Sequence, residues 1–339
     1  PPDMYQAPAW WTGQLYNSDF LAEVPADIVA DIKANYPPGV VEAVSWQGKV
    51  WGVPLDSNPT VMVYNKQMLA EAGYTRPPET LAELKEYALK LTKRDASGKV
   101  TQYGFSQWVS NLNTEYLPFV SMLYSNGGDV LDLQKKEAIF NSPEGLEILT
   151  LQTDLIKAGA FNPELTYTDW YTGRVAITVL PNWTRYYLQT YNKPENYAAA
   201  PVPHGVGKKS GAIVYSWFFF VNKRSKNQAQ AWDFIRWFTQ KPMGEGKPTR
   251  CAQFYYDIAS VIPGRKSDLV AMKAQFSSDV FPAYIQALDY AKSPPPIPAY
   301  EEMVQIINTA LENAWFAKKT PKEALDAAAT QVTALLKQP

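Results

Sequence analysis

Residues 43–66 read AVSWQGKVWGVPLDSNPTVMVYNK, and the apolar run near the end of this stretch, Val61–Tyr64, follows a segment that contains Gly and Pro. Three further apolar runs of this kind occur along the chain, at Val175–Leu180, Tyr197–Val202 and Trp217–Val221. Short runs of this composition, bounded by Gly and Pro, are typical of β-strands. We therefore predict a strand at each of the four positions.

Capping signals indicate helices between these runs. Thr80 and Glu83 form a capping box ahead of an apolar stripe with helical spacing. Ser142 is followed by Pro143, a residue favoured at the first helical position, and Gly159 is expected to end that helix. The predicted helices span residues 81–93, 143–159 and 228–240, and a fourth begins after Thr320.

The third of these helices is predicted to be capped by Asn227 and to face the core through Ala231, Phe234, Ile235 and Phe238. Strands that alternate with helices indicate α/β layers with a largely parallel sheet. The chain of 339 residues exceeds the size at which a single hydrophobic core usually stops growing. We therefore expect an α/β protein with two lobes.

Composition excludes several functional classes. The formal net charge is −1, from 32 Lys and Arg against 33 Asp and Glu, so no basic face and no nucleic-acid partner are expected. No apolar run approaches the roughly 18 residues that a membrane span needs. The single cysteine, Cys251, excludes an internal disulfide, and the single histidine, His204, excludes the two-histidine zinc motif. We expect no metal and no cofactor.

Aromatic residues are unusually frequent. They make up 14% of the chain, with 11 Trp and 21 Tyr, whereas charged residues make up only 19%. A sugar site needs such rings, because the C–H face of a pyranose packs on them while its hydroxyls take directed hydrogen bonds. An aromatic-rich core is the competing explanation for most individual rings.

Loops near the ends of predicted strands hold the candidate binding residues, since open α/β sheets bind ligands beyond the C-terminal ends of their strands. Asp56, followed by Ser57 and Asn58, is a candidate acceptor for sugar hydroxyls, and its alternative role is to cap a turn. The neighbours Trp10 and Trp11 cannot both face one core, so one of them is a candidate contact.

Three more candidates lie in one polar loop. Trp108, Asn113 and Glu115 combine a ring with hydrogen-bonding groups at close range, and the alternative is that the polar groups only solvate the loop. Trp170 and Tyr300 are also candidate contacts, although a helix or strand partner could use either ring.

The chain resembles a known family over essentially its whole length. The family is that of the extracellular solute-binding proteins that serve ABC sugar importers, to which the maltodextrin-binding proteins belong. The order and spacing of several short strings carry the resemblance: Pro2–Met4, Phe20–Val24, Ala43–Pro54, Val63–Lys66, Asn126–Asp129, Phe140–Gly145, Gly173–Ile177 and Asn222–Asn227.

The resemblance implies a periplasmic-binding-protein fold of two α/β lobes, with a ligand cleft between them and three crossings of the chain. It implies one lobe at residues 1–60 and 217–280, and a second at 61–216 and 281–339. Members of the family usually begin with a strand, a helix and a strand before the proline-aspartate string. This sequence begins at that string, so we expect that the preceding unit is omitted or is supplied by another chain.

The resemblance also implies binding residues. Trp183 follows a predicted strand where the family commonly places a stacking ring, Ser216 and Trp217 fall at a predicted lobe crossing, and Trp10 with Trp11 corresponds to a cleft loop. The implied function is capture of a sugar or oligosaccharide for the membrane subunits of an ABC importer. The implied location is extracytoplasmic, either periplasmic or lipid-anchored at the cell surface, and we expect a monomer.

Two alternatives stay open. The same fold could bind a polyol or an anionic or phosphorylated compound, which Arg250 or Arg265 could hold. A carbohydrate-active enzyme would need two carboxyls across a glycosidic bond, and Asp56 with Glu115 is the only pair that we can nominate. No motif fixes the geometry of that pair, so we expect a binding protein rather than an enzyme.

Overall fold

The four apolar runs form strands and the four capped segments form helices, as predicted. A computed structural model describes residues 2–107, 115–191, 194–277 and 280–338. The strands are β1 (Met4–Pro8), β2 (Ser45–Trp46), β3 (Lys49–Val50), β4 (Val53–Pro54), β5 (Asp56–Asn65), β6 (Lys93–Arg94), β7 (Val100–Phe105), β8 (Leu131–Asp132), β9 (Glu137–Ala138), β10 (Val175–Pro181), β11 (Tyr197–Ala200), β12 (Val214–Tyr215), β13 (Trp217–Val221) and β14 (Ile262–Pro263).

The helices, in chain order, are α1 (Thr12–Asn17), α2 (Ala26–Asn35), α3 (Pro38–Ala43), α4 (Lys66–Glu71), α5 (Leu81–Leu91), α6 (Tyr116–Ser125), α7 (Pro143–Lys157), α8 (Tyr167–Tyr171), α9 (Thr184–Tyr191), α10 (Gln228–Thr239), α11 (Arg250–Ala259), α12 (Lys266–Ala271), α13 (Phe281–Ala287), α14 (Tyr300–Trp315) and α15 (Pro321–Leu336). Short 3₁₀ helices span Ala9–Trp11 and Pro194–Asn196. In the ranges that the structure describes, none of these helices is long and apolar enough to cross a bilayer.

The capping chemistry explains where the predicted helices begin. The Thr80 hydroxyl accepts a hydrogen bond from the Glu83 N–H at 3.2 Å, and the Glu83 carboxylate accepts one from the Thr80 N–H at 3.3 Å. These two bonds satisfy donors that the first turn of α5 would leave without partners. Asn227 occupies the N-cap position of α10 as predicted, but its side chain makes no capping hydrogen bond and donates instead to the Asp3 carboxylate at 3.4 Å.

The chain divides into two compact units. Unit 1 comprises residues 1–59 and 214–300, and unit 2 comprises residues 60–213 and 301–339. Residues 281–300, which the sequence prediction assigned to the second lobe, group with unit 1, where the Val214 N–H donates to the Lys292 carbonyl at 2.9 Å. The lobe boundaries expected from the sequence stay a prediction.

Unit 1 is built on a three-stranded sheet in the order β1–β13–β4, with both pairings antiparallel. Met4 pairs with Val221 at one end of β1, and Pro8 pairs with Trp217 at the other. Helices α2, α3 and α10 contribute buried residues to the core of this unit. Its most deeply buried side chains include Ile28, Ile32, Val44, Val53, Phe218, Val221 and Ile235.

The predicted core face of helix α10 is right in part. Ala231 and Ile235 are buried as predicted, together with Trp232 and Thr239, whereas Phe234 is exposed and Phe238 is only partly buried. The Phe234 ring stacks on Phe238 at 5.7 Å and lies 6.5 Å from Phe219, between ring centroids. Apolar residues occupy both sides of this helix, so its spacing could not identify the buried side.

Unit 2 contains the sheet order β11–β5–β10–β7–β6. The expectation of largely parallel sheets was wrong, since among the strands named above only β10 and β7 pair in parallel. The reason is strand β5, which begins in unit 1 against β12 and β14 and continues into unit 2 antiparallel to both β10 and β11. Asp56, Ser57 and Asn58 lie in the part of this strand that belongs to unit 1.

Candidate functional site

Three tryptophans lie at one end of the unit 1 sheet. Strand β1 ends at Pro8, which pairs with Trp217, and the 3₁₀ helix that carries Trp10 and Trp11 follows at once. A hydrogen bond of 2.8 Å from the Ala9 N–H to the Ser216 carbonyl joins this helix to the start of β13. The antiparallel pairing thus brings together two tryptophan segments that are about 200 residues apart in the sequence.

The three rings differ in exposure. Trp10 is half-buried and packs against Tyr215 at 5.7 Å and Tyr300 at 5.6 Å between ring centroids. Trp11 and Trp217 are each 38% exposed, although Trp217 lies in a strand whose next residue, Phe218, is fully buried. The pleat of the strand explains this difference, because neighbouring side chains point to opposite faces. A partly exposed indole ring next to buried polar groups is what stacking on a sugar requires.

The polar groups beneath this surface are buried. Asp56 is 2% exposed, and its carboxylate accepts a hydrogen bond from the Trp217 N–H at 2.7 Å. Burial raises the pKa of Asp56 to about 7, and the hydrogen bonds from Trp217 and the Asn58 side chain oppose that rise. The sequence suggested that Asp56 either accepts from sugar hydroxyls or caps a turn. In the structure its carboxylate instead contacts a backbone N–H that is distant in the sequence. Ser57, Asn58 and Ser216 are buried as well.

Unit 2 holds a second group of rings. Trp183 follows β10 and is half-buried, with its ring 5.6 Å from Tyr187 in an edge-to-face arrangement. Tyr187 stacks on Tyr171 at 4.9 Å, and Tyr171 contacts Trp170 at 5.3 Å. The sequence analysis did not select Tyr171 and Tyr187. The signal was available, because Tyr187 lies four residues after Trp183, in the first turn of α9, and Trp183 directly precedes that helix.

Trp170 is placed differently from the other candidate rings. It is 2% exposed and packs between Tyr171 and Tyr197, and its indole N–H has no hydrogen-bond partner within the described residues. These contacts agree with the alternative that a structural neighbour uses this ring. Tyr300 in unit 1 is also buried, and it supports Trp10.

Glu115 precedes helix α6 and is buried in unit 2. Burial raises the pKa of its carboxyl, and the negative charge of Glu312 raises it further. The other two candidates of this loop, Trp108 and Asn113, lie outside the described residues.

The two nominated arginines are engaged within unit 1. The Arg265 guanidinium forms an ion pair with Asp31, and the Arg250 guanidinium lies over the Trp237 ring at 4.5 Å from its centroid. The buried Cys251 thiol donates to the Leu55 carbonyl at 3.4 Å. Within the described ranges, no group of three or more His, Cys, Asp or Glu residues could hold a metal ion.

The sequence and the fold were compared with known proteins. The family model described as "Bacterial extracellular solute-binding protein" matches residues 1–245. A probable ABC transporter-binding protein of Deinococcus radiodurans is 27% identical over 252 residues, which cover 70% of this chain and 58% of the relative. The sn-glycerol-3-phosphate-binding periplasmic protein UgpB of Escherichia coli is 25% identical over 318 residues, covering 86% of this chain and 68% of UgpB.

The fold matches solved structures of the same kind. An ABC transporter solute-binding protein from Thermotoga lettingae, solved with α-D-tagatose, superposes with a TM-score of 0.80 at 24% identity. The match covers 99% of this chain and 85% of that protein. At this identity the likeness supports the two-lobed α/β fold and carries no information on the ligand.

Proposed function

The chain belongs to the bacterial extracellular solute-binding protein family, and from this premise we propose that it captures a sugar or short oligosaccharide for an ABC importer. The observation that carries the proposal is the group of three tryptophans at the end of the unit 1 sheet, with Trp11 and Trp217 partly exposed. Indole rings that are held rigidly and left partly open bind the apolar face of a sugar ring. Trp183, packed against Tyr187, is the proposed contact from unit 2.

The finer part of the proposal concerns how the ligand is held. We propose that the sugar bridges the two lobes, stacks on Trp217 and Trp183, and draws the lobes closed. The closed form would then be recognised by the membrane subunits of the importer. The protein would act as a monomer outside the cytoplasm, in the periplasm or anchored by lipid, and would not turn its ligand over.

A glycerol phosphate or another anionic solute is the second candidate ligand. The relative UgpB is named for binding sn-glycerol 3-phosphate, and it matches 86% of this chain. An anionic ligand needs cationic partners, and the two arginines that the sequence nominated are already engaged with Asp31 and Trp237. This engagement supports a neutral sugar over an anion.

The proposal is tested by thermal unfolding with maltose, mannotriose, D-tagatose and sn-glycerol 3-phosphate. A compound that binds only the folded protein at 100 times its Kd stabilises it by about 2.7 kcal/mol, which is a shift in Tm of a few degrees. A saturable shift with a sugar is the expected result. A shift with sn-glycerol 3-phosphate alone would favour the second candidate.

The role of Trp217 has its own test. Trp217→Ala should weaken sugar binding at least about tenfold, because a stacked ring supplies more than a kilocalorie per mole at such sites. Trp237→Ala is the matched control, since Trp237 is a tryptophan of unit 1 with 44% exposure that lies on α10. Titration calorimetry measures both variants. Equal affinity of Trp217→Ala and wild type would exclude Trp217 from the site.

The absence of catalysis is also open to measurement. Catalysis would need Asp56 and Glu115 as a pair of carboxyls across a glycosidic bond, and the Asp56 carboxylate is engaged with the Trp217 N–H. We expect no release of nitrophenol from aryl glycosides above the buffer rate. Release that disappears in Asp56→Ala would make the protein an enzyme.

A further inference from the structure

The Asp56 carboxyl is an unusual group to find buried in unit 1. Among the described residues no cation is paired with it, and the side chains that share its surroundings include Cys251 and Tyr255 of helix α11. Burial raises the pKa of both of these groups, so they are neutral near pH 7 and supply no balancing charge. An acidic group in such a place destabilises the fold unless it is hydrogen-bonded. Besides the Asn58 side chain, the Asp56 carboxyl contacts a backbone N–H, that of Trp217.

That contact holds the peptide that carries Trp217. The Trp217 N–H donates to the Asp56 carboxylate at 2.7 Å, while the Trp217 carbonyl accepts from the Leu55 N–H at 2.9 Å and from the Ser216 hydroxyl at 2.8 Å. The backbone N–H of Trp217 is therefore held by Asp56, and its backbone carbonyl is held by Leu55 and Ser216. The Trp217 side chain is nevertheless 38% exposed.

The same contact reaches the second tryptophan segment. The carbonyl of Ser216 accepts from the Ala9 N–H at 2.8 Å, and Ala9 begins the 3₁₀ helix that carries Trp10 and Trp11. Asp56 also accepts a hydrogen bond from the Asn58 side chain, and Asn58 pairs with Tyr215, which packs against Trp10. A displacement of the Asp56 carboxyl would therefore act on the Trp217 peptide directly, and on the segment of Trp10 and Trp11 through Ser216 and Tyr215.

We propose that Asp56 is a positioning residue of the binding surface, which holds the peptides that carry Trp217, Trp10 and Trp11 and does not touch the ligand. The claim that this positioning serves ligand binding rests on the proposed function. The claim that Asp56 holds the Trp217 peptide does not depend on any ligand. A group that fixes partly exposed rings lowers the entropy lost on binding, and so raises affinity without a contact of its own.

The first experiment needs no ligand. Hydrogen–deuterium exchange of the Trp217 amide is measured in wild type, Asp56→Leu and Asp56→Asn. Leu keeps the branched shape without an acceptor, and exchange at Trp217 should rise at least about tenfold relative to the amides of Phe219 and Phe220. Asn keeps one acceptor oxygen, so exchange should stay within about threefold of wild type. If Leu disrupts folding, Asp56→Ala replaces it.

The matched control is Asp268→Ala. Asp268 is another buried carboxyl of unit 1, and it accepts from the Thr249 N–H at 2.7 Å and the Thr249 hydroxyl at 2.8 Å. This variant should speed exchange at Thr249 and leave Trp217 unchanged. Unchanged exchange at Trp217 in Asp56→Leu, or an equal rise in Asp268→Ala, would overturn the hold that we assign to Asp56.

The second experiment measures affinity with the sugar among maltose, mannotriose and D-tagatose that stabilises wild type. Asp56→Leu should raise Kd at least about tenfold, whereas Asp56→Asn and Asp268→Ala should stay within about threefold of wild type. Equal losses in Asp56→Leu and Asp56→Asn would show that the carboxylate touches the ligand, and no loss in Asp56→Leu would overturn the positioning role. If wild type binds none of the sugars, the proposed function fails, and the exchange experiment still decides the hold on Trp217.

Discussion

At the residue scale, Asp56 shows how burial changes the chemistry of one side chain. An exposed aspartate is ionised at pH 7, but burial raises the pKa of Asp56 to about 7, so that its carboxyl titrates in the neutral range in the folded protein. In the unfolded chain this carboxyl is not buried, so it loses its proton near the ordinary pKa of an aspartate. The stability of the fold must therefore depend on pH through this residue.

The sign of that dependence follows from the raised pKa. The folded state binds the proton more tightly, so the contribution of Asp56 to the free energy of unfolding is fully present at acidic pH and is lost as pH rises through about 7. Asp56→Asn does not titrate. Between pH 5 and 8 we expect wild type to lose stability relative to Asp56→Asn by on the order of 2 kcal/mol, measured by urea unfolding at both pH values.

An exposed carboxyl serves as the control for this pH experiment. Asp19 is fully exposed, and its hydrogen bond to Lys223 lowers its pKa. A carboxyl with a lowered pKa changes the stability of the fold only at acidic pH, where it takes up its proton. The free energies of unfolding of Asp19→Asn and wild type should therefore differ by a constant amount between pH 5 and 8. A constant difference for Asp56→Asn as well would mean that Asp56 is ionised in the folded protein throughout this range.

At the element scale, the approach of α5 to β7 depends on one glycine. A Cβ atom built at Gly104 in β7 would lie 1.8 Å from the Ala88 carbonyl oxygen and 2.6 Å from the Ala88 Cα in α5. These are backbone atoms, so the contact can be relieved only if the helix moves away from the sheet. The helix carries Leu84, Ala88 and Leu91 into the core of unit 2, and such a movement would loosen their packing.

We therefore expect Gly104→Ala to lower the free energy of unfolding by at least about 1–3 kcal/mol, the usual effect of overpacking a core. Gly244→Ala is the control, because a Cβ there meets only the Lys247 side chain, at 3.5 Å. That substitution should change stability by no more than about 0.5 kcal/mol. Urea unfolding measures both. Equal midpoints for the two variants would contradict the close approach of α5 and β7.

At the scale of the whole molecule, charge balance predicts how binding responds to salt. The chain has a net charge of −1, with acidic and basic residues nearly equal in number. Binding of a neutral sugar involves no transfer of charge, so we expect its Kd to change less than about twofold between 50 and 500 mM salt. A phosphorylated ligand held by cations should bind several times more weakly at the higher salt. Titration calorimetry at both salt concentrations separates the two ligand classes.

Local chemistry in the sequence determined the element order and much of the candidate surface. Thr80 and Glu83 accept hydrogen bonds from each other's N–H groups at the start of α5, the Ser142 hydroxyl accepts from the Gly145 N–H at the start of α7, and Pro143 has no N–H that needs a partner. These boundaries therefore needed no long-range information. Likewise, the adjacent pair Trp10 and Trp11 cannot turn two rings to one core, and Trp11 is indeed exposed.

Only the tertiary structure decided which strands pair and which polar groups are buried. Apolar runs predict strands but not their direction, and β5 pairs antiparallel with β10, β11, β12 and β14. Helix α10 has apolar residues on both sides, so the elements that pack against it determine which side is buried. The role of Asp56 depends on a peptide 161 residues away. A sequence records composition and spacing along the chain, whereas burial and pairing depend on distances that exist only after the chain has folded.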